Sequence, residues 1–330
     1  MSIIHFRKVS EMQTIELSIV IPCYEEEHGI GELVKRVSAA AEKARLTYEL
    51  ILVDDGSTDR TWEKILESQE RCPEIKAVKL ARNHGHQLAL TAGMSLVRGE
   101  KYVFILDADL QDPPELLGEM IKLMEECDAD VVYGKRKKRE GESFFKLLSA
   151  CIFYRFLRAM TDIDIPEDTG DFRLIRRHVA DTLNQMKEHS RFIRGMVSWC
   201  GGKQLPLLYF REARFADSTK YPLRKMIKLA LDAITAFSIK PLRIGLKLSA
   251  WGVLIALGLL LYALFSHFFL QTKAGWSSIM ATIIFLGSLQ LFLLGIMGEY
   301  LGRIFADTQN RPLFLIDEIR SSPSKFNDIS

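Results

Sequence analysis

The sequence predicts an α/β protein: a mostly parallel sheet with crossover helices, then amphipathic interface helices, then a two-span transmembrane helical hairpin. Three observations predict it. Short apolar runs alternate with helical patterns between Glu16 and Arg136, the signature of repeated strand–helix–strand units. A polar cluster directly follows four of these runs. Two long apolar segments come late, and the stretch from Ser249 to Met297 holds one Lys and no Arg, Asp or Glu.

Taken in order, residues 1–14 read as a loose leader with acidic residues in place of a secretory signal. Glu16 to Pro22 is a buried strand closed by its proline, followed by Cys23-Tyr24-Glu25-Glu26-Glu27 and a helix over Gly29 to Ala44. Tyr48 to Val53 is a second strand, ending in Asp54-Asp55-Gly56-Ser57-Thr58-Asp59, with Asp59 the expected cap of the next helix. Ile75 to Leu80 is a third strand, followed by Arg82-Asn83-His84-Gly85-His86 and a helix through Ala89, Ala92 and Met94. Tyr102 to Leu106 is a fourth, leading into Asp107-Ala108-Asp109-Leu110-Gln111. Asp112-Pro113-Pro114-Glu115 reads as a helix start, with Asp112 at the N-cap and Pro113 at the first helical position. That helix runs through Met120, Leu123 and Met124, and a further strand covers Val131 to Tyr133, ending at Gly134-Lys135-Arg136.

Ser143 to Met160 is an aromatic-rich helical stretch, read either as a core helix or as one lying on a membrane surface. The loop Asp162 to Gly170 leads to Asp171-Phe172-Arg173. Tyr221 to Arg243 is amphipathic and basic, suited to anionic headgroups. Leu248–Leu270 and Ile279–Met297 are each long enough to cross a hydrocarbon core of roughly 30 Å. A polar turn near Gln271-Thr272-Lys273 joins them. Lys240, Arg243 and Lys247 precede the first span, Arg303 and Arg311 follow the second, and Lys273 stands alone in the turn. Positive-inside counting therefore places both ends in the cytoplasm. The organisation is a cytoplasmic domain over 1–220, a juxtamembrane segment over 221–247, two spans within 248–300 and a cytoplasmic tail over 301–330.

Composition narrows the function classes. With 44 basic and 42 acidic residues among 330, charge alone argues neither for nor against nucleic acid, and no nucleic-acid partner is expected. Five cysteines, an odd number without Cys-x-x-Cys spacing, read as buried thiols in a reducing compartment. No Gly-x-Gly-x-x-Gly follows the first strand and no Gly-x-x-x-x-Gly-Lys-Ser/Thr occurs, which argues against Rossmann dinucleotide binding and P-loop hydrolysis.

The acidic turn carries the chemistry. Asp107 and Asp109 repel each other unless a cation lies between them, and with the Gln111 carbonyl they form a hard oxygen set suited to Mg²⁺ or Mn²⁺. Such a shell is usually completed by water and substrate phosphate, which points to a diphosphate ligand. Taken alone, the pattern also fits a solvated acidic turn. Its placement with three other polar clusters at the carboxyl ends of strands, where α/β sheets bind ligands, favours the metal reading.

These motifs together resemble the GT-A glycosyltransferases of family 2, and within them the polyprenyl-phosphate glycosyltransferases, including the dolichol-phosphate mannosyltransferases and bactoprenol glucosyltransferases. The resemblance runs from Leu17 to about Leu315. It rests on Val20-Ile21-Pro22-Cys23-Tyr24, Asp54-Asp55-Gly56-Ser57, Asp107 to Pro114, Asp168-Thr169-Gly170-Asp171-Phe172-Arg173 and, after the second span, Gly298-Glu299-Tyr300-Leu301-Gly302-Arg303. It implies that Pro22, Tyr24, Glu26 and Asp55, with Arg82 nearby, line the nucleotide pocket. It further implies that Asp107, Asp109 and Gln111 hold the metal, and that Arg136, assisted by Lys146, faces the acceptor phosphate. Ser218 and Lys220 match a loop that closes near the acceptor, and Asp171 matches an acidic position tied to activity. The family usually has Asn after the Tyr, where Glu25 stands here. The Gln-x-x-Arg-Trp motif of processive synthases is missing, with Arg194 and Trp199 spaced differently, so one transfer per acceptor is expected.

The implied reaction is inverting transfer of a hexose from a nucleotide sugar to a polyprenyl phosphate, with UDP-glucose and undecaprenyl phosphate as the leading pair. UDP-4-formamido-arabinose, UDP-N-acetylglucosamine and GDP-mannose are alternative donors, and a silent membrane scaffold is the alternative class. The resemblance also implies a homo-tetramer at the cytoplasmic membrane, and a pathway flippase and second glycosyltransferase. A lipid phosphate is already anionic at neutral pH, so the expected barriers are the meeting of two anions and the departure of the nucleoside diphosphate.

Overall fold

The computed structural model describes residues 14–136, 160, 169–210, 235, 238–269 and 275–321. Four parallel strands form its centre: β1 (Leu17–Cys23), β2 (Tyr48–Asp54), β3 (Ile75–Leu80) and β4 (Tyr102–Ile105). β1 pairs with β2 on one side and β4 on the other, and β2 pairs with β3. Every residue of β1 is buried, as expected of a strand covered by helices on both faces. The connections are α1 (Ile30–Ala44), α2 (Thr61–Arg71) and α3 (His86–Met94).

Four more strands widen the sheet: β5 (Val131–Arg136), β6 (Thr169–Arg176), β7 (Gln204–Tyr209) and β8 (Ile316–Ser321). Among the described residues the order is β7-β5-β6-β4-β1-β2-β3-β8. β6 runs antiparallel to both β4 and β5, and β8 antiparallel to β3, while β5 and β7 are parallel. The sheet is thus parallel at its centre and mixed toward its edges.

Alternation along the strands splits the core in two. Ile19, Ile21, Leu50, Leu52 and Phe104 face α1, α2 and the helix α4 (Leu117–Glu126). Val20, Ile51, Val53, Val103 and Ile105 face α3 and two later helices, α5 (Arg177–Gln185) and α6 (Ile193–Cys200). In α1 the buried residues Ile30, Leu33, Val34, Val37, Ala40 and Ala41 recur at three- and four-residue spacing, which is why this segment settles as a helix against the sheet.

Several local expectations are corrected. Asp112 does not cap a helix: a 3₁₀ turn at Pro114–Leu116 leads into α4, and the Asp112 side chain is fully buried beneath Tyr209. The N-cap of α2 is Arg60, not Asp59, although the Asp59 carboxylate still accepts the Thr61 amide at 3.0 Å. β4 stops at Ile105, one residue before the expected end, and β6 already begins at Thr169, inside the expected loop.

The C-terminal region also departs from a simple tail. Two long helices, α7 (Lys240–Phe269) and α8 (Trp276–Thr308), contain the predicted apolar segments except Leu270. Among the described residues, Thr282–Thr308 is the stretch that is long and apolar enough to cross a membrane. Beyond it the chain returns to the sheet: β8 hydrogen-bonds along β3, and the Ala81 amide donates to Leu315 O at 2.9 Å. Tyr300 Oη donates to Ser238 O at 2.6 Å, and the His189 amide donates to Asp307 Oδ1 at 3.0 Å. The end of α8 is therefore held to the α/β domain, and the backbone before α7 to α8. Ser143–Met160, read as a core or surface helix, and Tyr221–Arg243, read as an amphipathic surface segment, fall largely outside the described residues.

Candidate active site

The chain leaves β1 toward β2 on one side, while β4 adds on the other, so a crevice opens above the carboxyl ends of β1 and β4. The polar clusters predicted from sequence meet at this edge. Pro22 is buried in β1, in register with Val53. Beyond it Tyr24 is 43 % exposed, and Glu26 is half-buried with its amide donating to Thr61 Oγ1 at 2.8 Å. Glu25 has φ 55°, the left-handed region in which Asn is far better tolerated than Glu. That conformation supplies a physical reason for Asn as the usual residue there.

Asp55 is buried, and its two carboxylate oxygens accept the amides of His84 (2.7 Å) and Gly85 (2.9 Å). Burial pushes its carboxyl up from the usual range, and the two amides oppose that shift. It therefore clamps the loop between β3 and α3. The adjoining backbones leave no room for a side chain at Gly56, whose φ is 66°: a Cβ there would lie 2.5 Å from the carbonyl carbon of Arg82. Arg82 itself projects as an exposed side chain.

That clamped loop delivers His86 between two carboxylates. Its Nε2 lies 3.0 Å from Asp171 Oδ2 and 3.5 Å from Asp107 Oδ1. Desolvation lowers the imidazole pKa, but the Asp171 hydrogen bond and both negative charges outweigh it and raise it to about 9. Asp171, on β6, is the hub of the cluster. Gln87 Nε2 donates to its Oδ2 at 2.8 Å, Arg194 Nε donates to its Oδ1 at 3.0 Å, and Arg173 Nη2 lies 3.7 Å away. Burial alone would raise the Asp171 pKa, yet Arg194, His86 and Arg173 hold it well below the usual carboxylate range. In this geometry Asp171 orients basic side chains, His86 and Arg194.

Asp107 differs. Desolvation pushes its carboxyl up to about 6, with His86 pulling the other way. Its Oδ1 is buried and receives no hydrogen bond among the described residues. A buried carboxylate oxygen that has a 3.5 Å charge contact with His86 but no hydrogen bond among the described residues, and lies beside a second acidic residue, suits a hard divalent cation. Asp109 Oδ1 accepts the Gln111 amide at 3.1 Å, and this tight turn passes through Leu110 at φ 56° with its side chain buried. The close acidic grouping is His86, Asp107 and Asp171, with ligand atoms within 4.8 Å of one another, rather than the predicted trio Asp107, Asp109 and Gln111. Asp107 belongs to both. A His86 that retains its proton makes a poor ligand, and Asp171 already faces His86 and two guanidinium groups, so the residues fit a cation on the Asp107–Asp109 side.

Arg136, at the end of β5, meets a separate set. Its Nε donates to Tyr209 Oη at 3.3 Å, its Nη2 lies 3.8 Å from Asp112 Oδ2, and the Tyr209 hydroxyl donates to Asp112 Oδ1. Lys146, Ser218 and Lys220 lie outside the described residues. Sequence reading missed His86, Gln87, Arg194 and Tyr209 as site residues. His86 stood in a recognised post-strand cluster, and Arg173 in a recognised motif. Gln87, Arg194 and Tyr209 carried no local signal.

Comparison with known proteins shows the family. The family model described as "Glycosyl transferase family 2" matches residues 18–183, and that described as "GtrB C-terminal hairpin" matches residues 240–304. The chain is 45 % identical over 308 residues to the uncharacterized glycosyltransferase YkcC of Bacillus subtilis, covering 92 % of this chain and 94 % of the relative. It is 33 % identical over 310 residues to the prophage bactoprenol glucosyl transferase homolog of Escherichia coli, covering 93 % and 100 %. To the SfII prophage-derived bactoprenol glucosyl transferase of Shigella flexneri it is 33 % identical over 306 residues, covering 92 % and 97 %.

Proposed function

The chain belongs to glycosyl transferase family 2, and from that premise we propose that it transfers a hexose, glucose from UDP-glucose, to undecaprenyl phosphate at the cytoplasmic face of the membrane. The observation that carries the reading is Asp107: a buried carboxylate oxygen without a hydrogen bond among the described residues, at the carboxyl edge of the paired parallel strands β1 and β4. Two relatives named as bactoprenol glucosyl transferases, matched over nearly their whole length, support the sugar and the lipid.

Asp107 and Asp109, with the Gln111 carbonyl, would hold a Mg²⁺ or Mn²⁺, which supplies positive charge for the departing diphosphate. Tyr24, Glu26 and the loop clamped by Asp55 would hold the nucleoside. Asp171 holds His86 and Arg194 in place at the edge of the acidic turn, so these cations need no reorganisation as charge develops. Arg136 would screen and align the acceptor phosphate, whose own charge makes a strong general base unnecessary. Attack from the face opposite the diphosphate inverts the anomeric centre, and the sugar-linked lipid then needs a flippase and a second transferase across the membrane.

The proposal includes two membrane crossings by α7 and α8. The end of α8 is tied to the α/β domain and to the backbone before α7, and an odd number of crossings would separate β8 from β3. Basic residues at both ends and a single Lys in the turn agree with this. A panel of radiolabelled UDP-glucose, UDP-N-acetylglucosamine, UDP-4-formamido-arabinose and GDP-mannose, given to membranes with undecaprenyl phosphate, tests the reading. Labelled lipid is expected from UDP-glucose; label from GDP-mannose alone would overturn the glucose assignment.

A further inference from the structure

We propose that Tyr209 is a positioning residue: its hydroxyl locks Arg136 to the end of the acidic turn and so sets the cation that meets the acceptor phosphate. The inference rests on the acceptor role given to Arg136 above, and extends it to a residue that no motif marks.

Three separate features make Tyr209 a built element. Its hydroxyl serves two partners, donating to Asp112 Oδ1 and accepting from Arg136 Nε at 3.3 Å. These partners lie 97 and 73 residues away in sequence, so the junction exists only in the folded sheet. The ring is 4 % exposed and packs against Phe172 with centroids 5.4 Å apart, and Phe172 in turn meets Phe104 at 5.5 Å. Finally, β5 makes room for it: a Cβ at Gly134 would lie 2.4 Å from Phe172 Cδ1 and 2.9 Å from Tyr209 Cε1.

The consequence follows from donor geometry. A guanidinium has five N–H donors in a rigid fork. Tyr209 engages the Nε edge and Asp112 lies beside Nη2, which orients the plane while leaving further donors for an anionic oxygen. Asp112 is three residues beyond Asp109, so the same hydroxyl ties the acceptor-side cation to the turn expected to carry the donor diphosphate. The aromatic packing belongs to the ring and the positioning to the oxygen, and Tyr209→Phe separates them.

The test uses the full chain in detergent, with undecaprenyl phosphate and UDP as separate binding probes and thermal unfolding measured alongside. Tyr209→Phe and Arg136→Ala are each expected to weaken undecaprenyl phosphate binding about tenfold, with UDP affinity within about twofold of wild type. The double variant is expected to bind no more weakly than Arg136→Ala alone, because the two act through one guanidinium. If Arg136→Ala weakens lipid binding and Tyr209→Phe does not, or if their effects add, the positioning role is wrong while the acceptor role of Arg136 stands. Equal losses for lipid and UDP in Tyr209→Phe, with a lowered melting temperature, would mark a merely structural tyrosine and overturn the inference. If Arg136→Ala leaves lipid binding unchanged, the reading of Arg136 itself fails, and the inference falls with it.

Discussion

At the scale of single residues, the site is a set of charges whose roles depend on their neighbours. Asp107 and Asp171 are both carboxylates at one sheet edge, yet Asp171 is surrounded by cations, whereas Asp107 has a buried oxygen that faces His86 at 3.5 Å and receives no hydrogen bond among the described residues. Replacing Asp171 with Asn leaves His86, Arg173 and Arg194 facing a neutral amide. We expect transfer to fall at least about 100-fold and stability by about 2–4 kcal/mol, as when one partner of a buried ion pair is removed. Turnover and thermal unfolding of the purified variant measure both, and wild-type activity in Asp171→Asn would refute the hub role. Glu25 predicts the opposite sign. Its left-handed backbone costs about 1 kcal/mol that Asn largely avoids, so Glu25→Asn is expected to stabilise the domain by about 0.5–1 kcal/mol, offset in part by the lost 3.2 Å bond from Thr58 Oγ1. A melting temperature raised by a few degrees checks it. The acidic pair was legible in sequence because it sits in a local pattern, whereas Arg136 and Asp171 were singled out by the family resemblance. The Asp112 cap was misread because local rules favour Asp before Pro, whereas a tyrosine from β7 supplies the partner that buries it.

At the scale of elements, the four central parallel strands follow from local pattern and were read to within one residue, whereas β5, expected to end at Tyr133, runs on to Arg136. β3 was placed at its observed limits because Ile75 to Leu80 alternates burial and is closed by a polar loop. β8 was not foreseen: Ile-Asp-Glu-Ile-Arg-Ser alternates only weakly, and it becomes a strand by covering the edge of β3. Its approach is reinforced by Phe314 and Ile316, which pack on the second core, and by Gln69 Nε2 donating to Arg320 O at 2.8 Å. A chain ending at Arg311 exposes the unpaired groups of β3 and removes the Leu315 carbonyl that receives Ala81. We expect a melting temperature lower by at least about 5 °C and aggregation on extraction from the membrane. Melting and monodispersity unchanged from wild type would show that β8 is dispensable.

At the scale of the whole molecule, the sheet and the helix pair constrain each other. β8 pairs with β3 after α8, and Tyr300 bonds to the backbone before α7, so the two ends of the helix pair lie close together. For two crossings, a fusion after Lys273 of a reporter active only outside the cytoplasm should be active, and the same reporter at the C-terminus silent. Activity at the C-terminus would mean a single crossing, and silence at both sites would mean a pair lying on the surface.

From the sequence alone came the alternation of strand and helix, the acidic turn at a strand end and the two apolar segments, because each follows from residues adjacent in the chain. The tertiary structure decided what those residues face. It brought His86, Gln87 and Arg194 to the Asp171 carboxylate, set Tyr209 between Asp112 and Arg136, and folded the C-terminus back onto β3. These are meetings between segments tens to hundreds of residues apart, and the burial and charge that assign their roles exist only once the sheet has assembled.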